Sequence, residues 1–279
     1  MKITYGKSVY NNKEINAVVQ VLKKTTQMGP NVRSFETKIA KLFSKKYGIM
    51  VNSGSSALLV AFKILNFPKG SEIITPALNF GTAVSSIIFN NLVPSFIDVE
   101  KNTFNINVNL IEKAINKKTK AICVPNLIGN LPDWEILRKI AKKNKLILIE
   151  DSADTLNAKF NSKSTGYYSD ITITSFYGSH VINCAGNGGM LCVNNKNLYK
   201  EALLYRSWGR SSSLFKDSEN INNRFNKKLG NIPYDEKFIF ERQGFNVEPS
   251  EIGAAFGLVQ LKKLNKNIKI RKNNFNKHF

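Results

Sequence analysis

Short apolar segments alternate with helical patterns over most of the chain, and this alternation limits the fold more than any other feature. Segments such as GIMVN (48–52), SEIITP (71–76) and KLILIED (145–151) are apolar nearly throughout, which is typical of strands buried on both faces. The first of them runs directly into a segment with helical spacing, SGSSALLVAFKIL (53–65). The pattern predicts an α/β fold with a mostly parallel sheet flanked by helices.

Two helices are predicted ahead of the first of these strands. Residues 13–24 (KEINAVVQVLKK) have helical spacing, and residues 34–48 (SFETKIAKLFSKKYG) start with a serine cap and end at a glycine. Gly29 and Pro30 are expected to break the chain between the two helices. Later in the chain, a further strand is predicted at DITITSFY (170–177).

The apolar segments and the cysteines exclude several classes of protein. The longest apolar stretches are far too short to span a bilayer, and the N-terminal residues lack the apolar core of a signal peptide. The three cysteines, Cys123, Cys184 and Cys192, are an odd number and form no CxxC pair. We therefore expect no membrane span, a cytoplasmic location with reduced thiols that serve in packing, and neither zinc nor disulfides.

The formal net charge of +21 leaves three interpretations open. It indicates nucleic-acid binding, a site for an anionic small molecule, or a solvated surface rich in lysine. The lysines are spread along the whole chain, and no basic stretch is interleaved with aromatic residues as in proteins that stack single-stranded bases. Nucleic-acid binding is therefore the least favoured of the three.

Polar residues follow several of the predicted strands, at the edge where parallel α/β sheets bind their ligands. Ser55 and Ser56 come after the strand 48–52 and open a helix, so they predict either a phosphate cradle at the helix N-terminus or an ordinary serine cap. Asp151 ends the strand 145–151. A buried carboxylate in that place holds a protonated ring nitrogen, caps a helix or joins an ion pair.

Two rings also follow predicted strands. Phe80 comes after the strand 71–76, and it either stacks on a flat cofactor or packs in the core. His180, the only internal histidine, lies between the strand 170–177 and the glycine-rich sequence GNGGM (186–190). A lone histidine in such a turn is either structural or catalytic. GNGGM itself lacks the GxGxxG spacing of a dinucleotide-binding loop.

Taken in order, these segments resemble the DegT/DnrJ/EryC1/StrS family of vitamin-B6-dependent sugar aminotransferases. The resemblance runs from about residue 7 to residue 265 and is carried by MGPNVRSFETKIA, VNSGSSALLVAF, GSEIITPALNFGTAVSSI, LILIEDSADTLNAKFNSKSTGYYSDITITSFY and GFNVEPSEIGAAFGLVQLKKL. It implies the large, cofactor-binding domain of a fold-type I pyridoxal-phosphate-dependent transferase over residues 1–240. It also implies the start of a truncated C-terminal small domain over residues 241–279.

The resemblance further implies which residues hold the cofactor, which is pyridoxal phosphate or pyridoxamine phosphate. Ser55, Ser56 and Ser175 would bind its phosphate group. Asn246, in the segment GFNVEPSE, would reach across a homodimer interface to the phosphate bound by the other subunit.

The ring of the cofactor has its own partners in this resemblance. Phe80 would stack on the pyridine ring, and Asp151 would pair with the ring nitrogen, keeping it protonated so that the ring accepts electrons. Aminotransferases of the family have a lysine five residues after the serine that matches Ser175, and this lysine bonds covalently to pyridoxal phosphate. His180 takes that position here, and no lysine follows it before Lys196.

One branch of the family, the sugar-nucleotide 3-dehydratases, has a histidine at this point. SFYGSHVI, PNLIGN and IPYDEKFIF are similar to that branch. Its members hold pyridoxamine phosphate non-covalently, and the amine condenses with the 4-keto group of a nucleotide-linked 4-keto-6-deoxy sugar. The histidine, matched by His180, removes a proton from C4′ of the cofactor, and the C3 hydroxyl leaves as water. The resemblance thus implies a dehydratase that makes 3-deoxysugars for surface glycans such as the O-antigen of lipopolysaccharide.

The branch has two forms, and one of them carries an iron–sulfur cluster on four cysteines, most of which follow the WGR segment. The matching stretch here, WGRSSSLFKDSENINNRF (208–225), contains no cysteine, which implies the form without a cluster. In that form an amino donor such as glutamate restores the amine, and the best-known substrate is GDP-4-keto-6-deoxymannose. IPYDEKFIF resembles the cluster form and leaves a CDP-linked sugar open.

Two other functions remain open. A sugar aminotransferase of the same family would need a lysine that bonds the cofactor. A truncated non-catalytic paralogue is the other alternative, and its main support is the expectation that most of the small domain is missing. Arg206 and Arg210, in YRSWGR, are predicted either to contact the diphosphate of the substrate or to form a solvated helix end. Asn187 departs from the acidic residue that is usual in the family.

Overall fold

A seven-stranded sheet lies at the centre of the structure. The structure is a computed structural model that describes residues 7–215 and 220–278. Its strands in chain order are β1 (Tyr47–Val51), β2 (Glu72–Pro76), β3 (Val93–Ile97), β4 (Thr119–Pro125), β5 (Ile147–Asp151), β6 (Lys159–Phe160), β7 (Lys163–Ser164), β8 (Ile171–Ser175), β9 (Gly189–Val193), β10 (Lys228–Leu229) and β11 (Ile232–Pro233).

The strand order of the large sheet is β1-β9-β8-β5-β4-β2-β3. β9 runs antiparallel to both of its neighbours, β1 and β8, and the other neighbouring pairs are parallel. The short strands form two separate hairpins, β6 with β7 and β10 with β11. The prediction of a mostly parallel sheet is confirmed.

Helices cover both faces of this sheet. They are α1 (Asn12–Leu22), α2 (Pro30–Leu42), α3 (Gly54–Leu65), α4 (Gly81–Phe89), α5 (Val108–Ala114), α6 (Trp134–Lys143), α7 (Lys196–Arg206), α8 (Ile221–Arg224) and α9 (Glu251–His278).

Successive residues of the central strands contribute to cores on opposite faces, because side chains alternate along a strand. Ile49 and Val51 of β1 pack with the helices α3, α4 and α7, whereas Met50 packs with α2 and α9. Further along the sheet, Val124 packs in a third core with Trp134 of α6. The nearly unbroken apolar runs in the sequence therefore reflect strands buried on both sides.

The start of α2 differs from the prediction. Ser34, the predicted cap, lies inside the helix, and the expected chain break at Gly29 and Pro30 is the helix start. Gly29 is the N-cap, and Pro30 takes the first helical position, where the missing N–H has no intrahelical acceptor to lose. Gly29 and Pro30 therefore mark the start of a helix rather than a break between two helices.

The predicted C-terminal glycine of α2 has a different function. The helix ends at Leu42, and Gly48 lies inside β1. A Cβ atom at Gly48 would come within 2.5 Å of the Glu36 carbonyl oxygen, so the glycine allows β1 to pack closely against α2. Tertiary packing, rather than a helix end, requires the glycine at this position.

α9 had no counterpart among the predicted elements, and the structure ties it to the rest of the fold. Its residues Ala254 and Leu264 are buried in the same core as Phe35 of α2. The Glu251 side chain accepts hydrogen bonds from the Gly29 N–H (2.8 Å), and also from backbone and side-chain groups at the start of α2. The division into domains at residue 240 stays a prediction.

The described part of the chain also bears on the thiols and on membrane association. Cys123, Cys184 and Cys192 are free and buried, and burial raises the pKa of each thiol. This agrees with their interpretation as packing residues. No helix within the described ranges is both long enough and apolar enough to cross a membrane.

Candidate functional site

A cavity of about 390 Å³ opens at the carboxyl ends of β1, β4, β5 and β8. This volume lies within the range of ligand pockets in proteins. Five of the predicted site residues are brought together in its walls, namely Ser55, Phe80, Asp151, Ser175 and His180. The structure thus has a cavity at the edge of the sheet where polar residues follow the strands, as the sequence predicts. The roles of the five residues in this cavity stay predictions.

The N-terminus of α3 forms one wall of the cavity. Ser53, which precedes the helix, caps it: the Ser53 Oγ accepts a hydrogen bond from the Ser56 N–H at 3.0 Å. The first helical bond is donated by the Ala57 N–H to the Ser53 carbonyl, so the N–H groups before it have no acceptor within the helix. Such an N-terminus attracts an anion.

The two predicted serines have different surroundings. The Ser55 hydroxyl lies in the cavity wall and donates a hydrogen bond to the Thr82 Oγ1 at 2.9 Å. The Ser56 hydroxyl donates to the Asn52 Oδ1 at 2.6 Å, and Ser56 lies outside the cavity wall. The helix cap is therefore Ser53, Ser55 lies in the cavity wall, and the phosphate cradle stays a prediction.

Two glycines let three chain segments meet below the cavity. A Cβ atom on Gly54 would come within 2.7 Å of the Ser175 Cβ, and one on Gly189 would come within 2.1 Å of the Ser53 carbonyl oxygen. Ser175, at the end of β8, is thereby held against the start of α3. Its Oγ accepts a hydrogen bond from the Tyr177 N–H at 3.3 Å and contributes to the cavity wall.

Asp151 is a buried carboxyl group at the end of β5. Burial raises its pKa to about 7. A hydrogen bond from the Ala153 N–H to the Asp151 Oδ1, at 3.0 Å, opposes this rise, whereas the charges of Asp154 and Glu150 add to it. Both of these charged neighbours are negative. A cation placed against this buried carboxylate, such as a protonated ring nitrogen, would therefore stabilise its charged form.

Asn126 holds the chain on both sides of Asp151. Its backbone N–H donates to the Asp151 carbonyl oxygen at 2.9 Å, and its Nδ2 donates to Glu150 Oε1 at 3.0 Å and to Ser152 Oγ at 2.7 Å. The Trp134 indole donates to the Asn126 Oδ1 at 2.9 Å. Sequence reasoning missed Asn126, although it follows β4 at the carboxyl edge and the strand-end rule applies to it equally.

His180 lies half-buried in the cavity wall, in the turn after β8. Its N–H donates to the Tyr177 carbonyl at 3.0 Å, and the two rings meet edge to face with centroids 5.9 Å apart. The imidazole Nδ1 is buried and has no hydrogen-bond partner among the described residues. The structural and the catalytic interpretation of this histidine both stay predictions.

Phe80 is the N-cap residue of α4, and its side chain is 71% exposed. The interpretation of this ring as a core aromatic is therefore wrong. Phe80 also lies in the cavity wall, and its stacking on a cofactor stays a prediction.

Besides Ser56, three predicted residues lie outside this cavity. Arg206 is buried, and its Nη1 forms an ion pair with Glu36 Oε1 at 2.8 Å, so it is not a solvated helix end. Arg210 stacks on the Trp208 ring, 4.3 Å from its centroid. Asn246 is exposed and forms an isolated β-bridge with Ser207. Their contacts with substrate or with a second subunit stay predictions.

No cluster of three or more His, Cys, Asp or Glu side chains suited to a metal ion occurs in residues 7–215 and 220–278. The prediction that the protein lacks an iron–sulfur cluster remains untested.

Comparison with known proteins connects this geometry to chemistry. A model of the DegT/DnrJ/EryC1/StrS aminotransferase family matches residues 9–277. A dTDP-4-dehydro-2,6-dideoxy-D-glucose 3-dehydratase of Saccharopolyspora spinosa is 35% identical over 85% of the chain and 53% of its own length. A GDP-4-keto-6-deoxy-D-mannose 3-dehydratase of Yersinia pseudotuberculosis is 33% identical over 96% of the chain and 68% of its own length.

A solved structure shares the fold as well. GDP-4-keto-6-deoxy-D-mannose-3-dehydratase of Escherichia coli with bound hydrated pyridoxal phosphate aligns with a TM-score of 0.89 and 32% identity. The alignment covers 99% of this chain and 71% of that one. The chain thus spans about half to two thirds of the length of the two curated relatives.

We predict that Asp151 makes the stability of the cofactor-free protein fall as the pH rises. Its folded pKa of about 7 lies above the ordinary value of 3.8, so its contribution is complete below about pH 4 and is lost as the pH passes through about 7. Relative to Asp151→Asn, the free energy of unfolding should drop by about 2–3 kcal/mol between about pH 5 and about pH 8. Urea unfolding at both pH values measures this drop.

The exposed Asp98 supplies the matched control, since Asp98→Asn should follow the wild-type pH dependence. Parallel pH dependences for the wild type and Asp151→Asn would show that Asp151 is not the buried, uncompensated carboxyl group described above.

We also predict that Asn126→Ala weakens cofactor binding, because the chain on either side of Asp151 loses its tether. The dissociation constant of pyridoxal phosphate, measured by absorbance titration, should rise about 10-fold, as for other residues that orient a ligand-binding group. The control is Asn130→Ala, which removes an exposed hydrogen bond to Thr103. A wild-type dissociation constant in the folded Asn126→Ala protein would refute this role.

Proposed function

Because the chain belongs to the DegT/DnrJ/EryC1/StrS aminotransferase family, we propose that it is a vitamin-B6-dependent dehydratase. Its substrate is a nucleotide-linked 4-keto-6-deoxy sugar, from which it removes the C3 hydroxyl. The observation that carries this proposal is His180, an imidazole with an unpartnered nitrogen in the wall of a cavity that offers an anion site and a buried carboxylate. Two relatives named as 3-dehydratases support the same reaction.

The described residues of the cavity fit pyridoxal or pyridoxamine phosphate. The N-terminus of α3, with the Ser55 and Ser175 hydroxyls, suits a phosphate group. Asp151 is a buried carboxylate that lacks a cation, which suits a protonated pyridine nitrogen. When bound as pyridoxamine phosphate, the cofactor supplies an amine for the sugar ketone and a ring that accepts electrons.

The cavity wall also bears on how the cofactor is held. No lysine is present among the described residues that line it, so a covalent bond of the aminotransferase kind has no donor there. Hydrated pyridoxal phosphate in the Escherichia coli relative supports non-covalent binding, because a hydrated aldehyde carries no bond to the protein. The alternative of a sugar aminotransferase is therefore less favoured.

Each residue of the chain has a physical task in this proposal. Asp151 holds the ring nitrogen protonated, and the start of α3 fixes the phosphate end, so the cofactor is oriented from both ends. Phe80 covers the ring face and reduces its contact with water. His180 holds and moves a proton at its imidazole, since the partnerless Nδ1 leaves the choice of protonated nitrogen free.

The remaining features of the proposal rest on the family alone. Glutamate or a similar amino acid acts as amino donor, no iron–sulfur cluster takes part, and the product serves a surface glycan. Residues 1–240 form the cofactor-binding domain and residues 241–279 begin a second one. The protein works in the cytoplasm as a homodimer, in which the exposed Asn246 contacts the cofactor phosphate of the other subunit.

The proposal predicts the products of a direct assay. With pyridoxal phosphate, glutamate and GDP-4-keto-6-deoxymannose, the protein should form a sugar nucleotide that lacks one oxygen atom, together with 2-oxoglutarate and ammonia. His180→Asn should bind the cofactor and lose product formation by about 10²–10⁴-fold, as expected for a proton-transfer residue. Mass spectrometry of the sugar nucleotide is the measurement, and CDP- and dTDP-linked sugars are run in parallel.

Other products would contradict the proposal in distinct ways. A 4-amino sugar would identify an aminotransferase. Cofactor binding without any product from the three nucleotide sugars would favour the non-catalytic paralogue.

A further inference from the structure

Glu150 is an acidic residue buried next to Asp151, and the proposed reaction gives it no role. It precedes Asp151 in β5, and 0% of its surface is exposed. The described residues that line the cavity at the sheet edge do not include it. A glutamate is rarely buried to this extent unless its charge is matched, because removing an ion from water is unfavourable.

Neutral donors surround both oxygens of the Glu150 carboxyl group. Its Oε1 accepts hydrogen bonds from Asn126 Nδ2 at 3.0 Å and from Ser152 Oγ at 2.7 Å. Its Oε2 accepts from Ser169 Oγ at 3.2 Å and from Thr172 Oγ1 at 3.0 Å. These four partners follow β4, follow β5, precede β8 and lie in β8, respectively, so one buried carboxyl group joins three neighbouring strands of the sheet.

Lys45 supplies the charge that balances Glu150. It is 5% exposed, and its Nζ donates to the Ser169 carbonyl oxygen at 2.5 Å. Burial lowers its pKa to about 8, and the charge of Glu150 is the largest influence that opposes this fall. The other titratable groups that act on the lysine are Cys192, Asp170 and Arg138.

Asp151 has no balancing cation of this kind among the described residues. The negative charges of Asp154 and Glu150 act on it, and the other titratable groups nearby are the buried thiol of Cys123 and the imidazole of His180 in the cavity wall. Lys45, Glu150 and Asp151 therefore form a buried set with one positive and two negative charges. A cation bound to Asp151 from the cavity completes the balance.

We propose that Glu150 is a positioning residue, which fixes the end of β5 and strengthens the hold of Asp151 on a cation in the cavity. Asn126 carries the first effect, since its side chain binds Glu150 and its backbone N–H binds the Asp151 carbonyl oxygen at 2.9 Å. The second effect is electrostatic, because a buried negative neighbour favours a cation at Asp151. The inference deepens the proposed function and rests on it for the identity of the cation, a protonated ring nitrogen.

The proton is a cation with which this hold is measured without any cofactor. Labelling of the aspartate carboxyl groups with carbon-13 lets NMR follow the titration of Asp151 in the full, cofactor-free chain, and Asp151→Asn identifies its signal. In Glu150→Gln the midpoint of this titration should fall by about half to one pH unit, because one negative neighbour has been removed.

Glu150→Gln removes the charge of this side chain and keeps its shape. The amide oxygen is able to accept from Asn126 and Ser152, and the amide nitrogen is able to donate to the hydroxyls of Ser169 and Thr172, which accept as well as donate. The matched control is Glu112→Gln, which removes an exposed charge that pairs with Lys143 and should leave the midpoint unchanged.

A second variant addresses the stability of the protein, because Glu150→Gln leaves the buried Lys45 without its balancing charge. The double variant, Lys45→Met with Glu150→Gln, removes both charges and leaves the pair neutral. It should also lower the Asp151 midpoint, since Glu150 is among the charges that act on Asp151 and Lys45 is not. Thermal melting confirms that both variants are folded.

The cofactor provides the second measurement. At about pH 8, the dissociation constant of pyridoxal phosphate, followed by absorbance titration, should rise about 3–10-fold in Glu150→Gln. This factor corresponds to the half to one pH unit expected for the proton, because both cations lie against the same carboxylate. Glu112→Gln should bind the cofactor as the wild type does.

Two results would overturn the inference. One is an unchanged Asp151 midpoint in both folded variants, and the other is a lower midpoint in Glu150→Gln together with a wild-type dissociation constant for pyridoxal phosphate. Failure of the proposed function looks different, because the wild type itself would then bind no pyridoxal phosphate. In that case the Asp151 titration alone decides whether Glu150 has this role.

Discussion

The buried carboxylate of Asp151 is the constraint on which the site depends. The parallel sheet places it at the carboxyl end of β5, where burial raises its pKa to about 7 and its charged neighbours are negative. Asn126 fixes the chain on either side of it. The proposed cofactor binding rests on this carboxyl group and on the start of α3, which both line the cavity. His180 lies in the wall of that same cavity, and its proposed role in proton transfer depends on this position.

The sequence predicted the fold and the cavity because both depend on local patterns. Apolar runs located the strands, and polar residues after them located the ligand edge of the sheet. Long-range packing was not visible in this way: Gly48 looks like a helix end, but β1 needs it to approach α2. One of the two predictions for Arg206, a solvated helix end, was wrong because the guanidinium pairs with Glu36, which is distant in the chain. The strand-end rule could have identified Asn126, which follows β4, but the sequence did not show its three side-chain hydrogen bonds.

Two buried groups give the cavity at the sheet edge its polar chemistry. They are the unpartnered imidazole nitrogen of His180 and the carboxyl group of Asp151, and this pair is the basis of the proposed proton transfer beside a bound cofactor. The net charge of +21 is spread over many lysines, but the site depends on a few buried groups that the composition does not reveal.

Solvent exchange at the cofactor tests the central claim about His180 most directly. The protein is loaded with pyridoxamine phosphate in deuterium oxide, GDP-4-keto-6-deoxymannose is added, and loss of the C4′ proton signal of the cofactor is followed by NMR for the wild type and for His180→Asn. The account predicts that the wild type removes one C4′ hydrogen, and that His180→Asn, with the cofactor still bound, removes it at least about 10²-fold more slowly. Equal rates in the two proteins would contradict the assignment of proton transfer to His180.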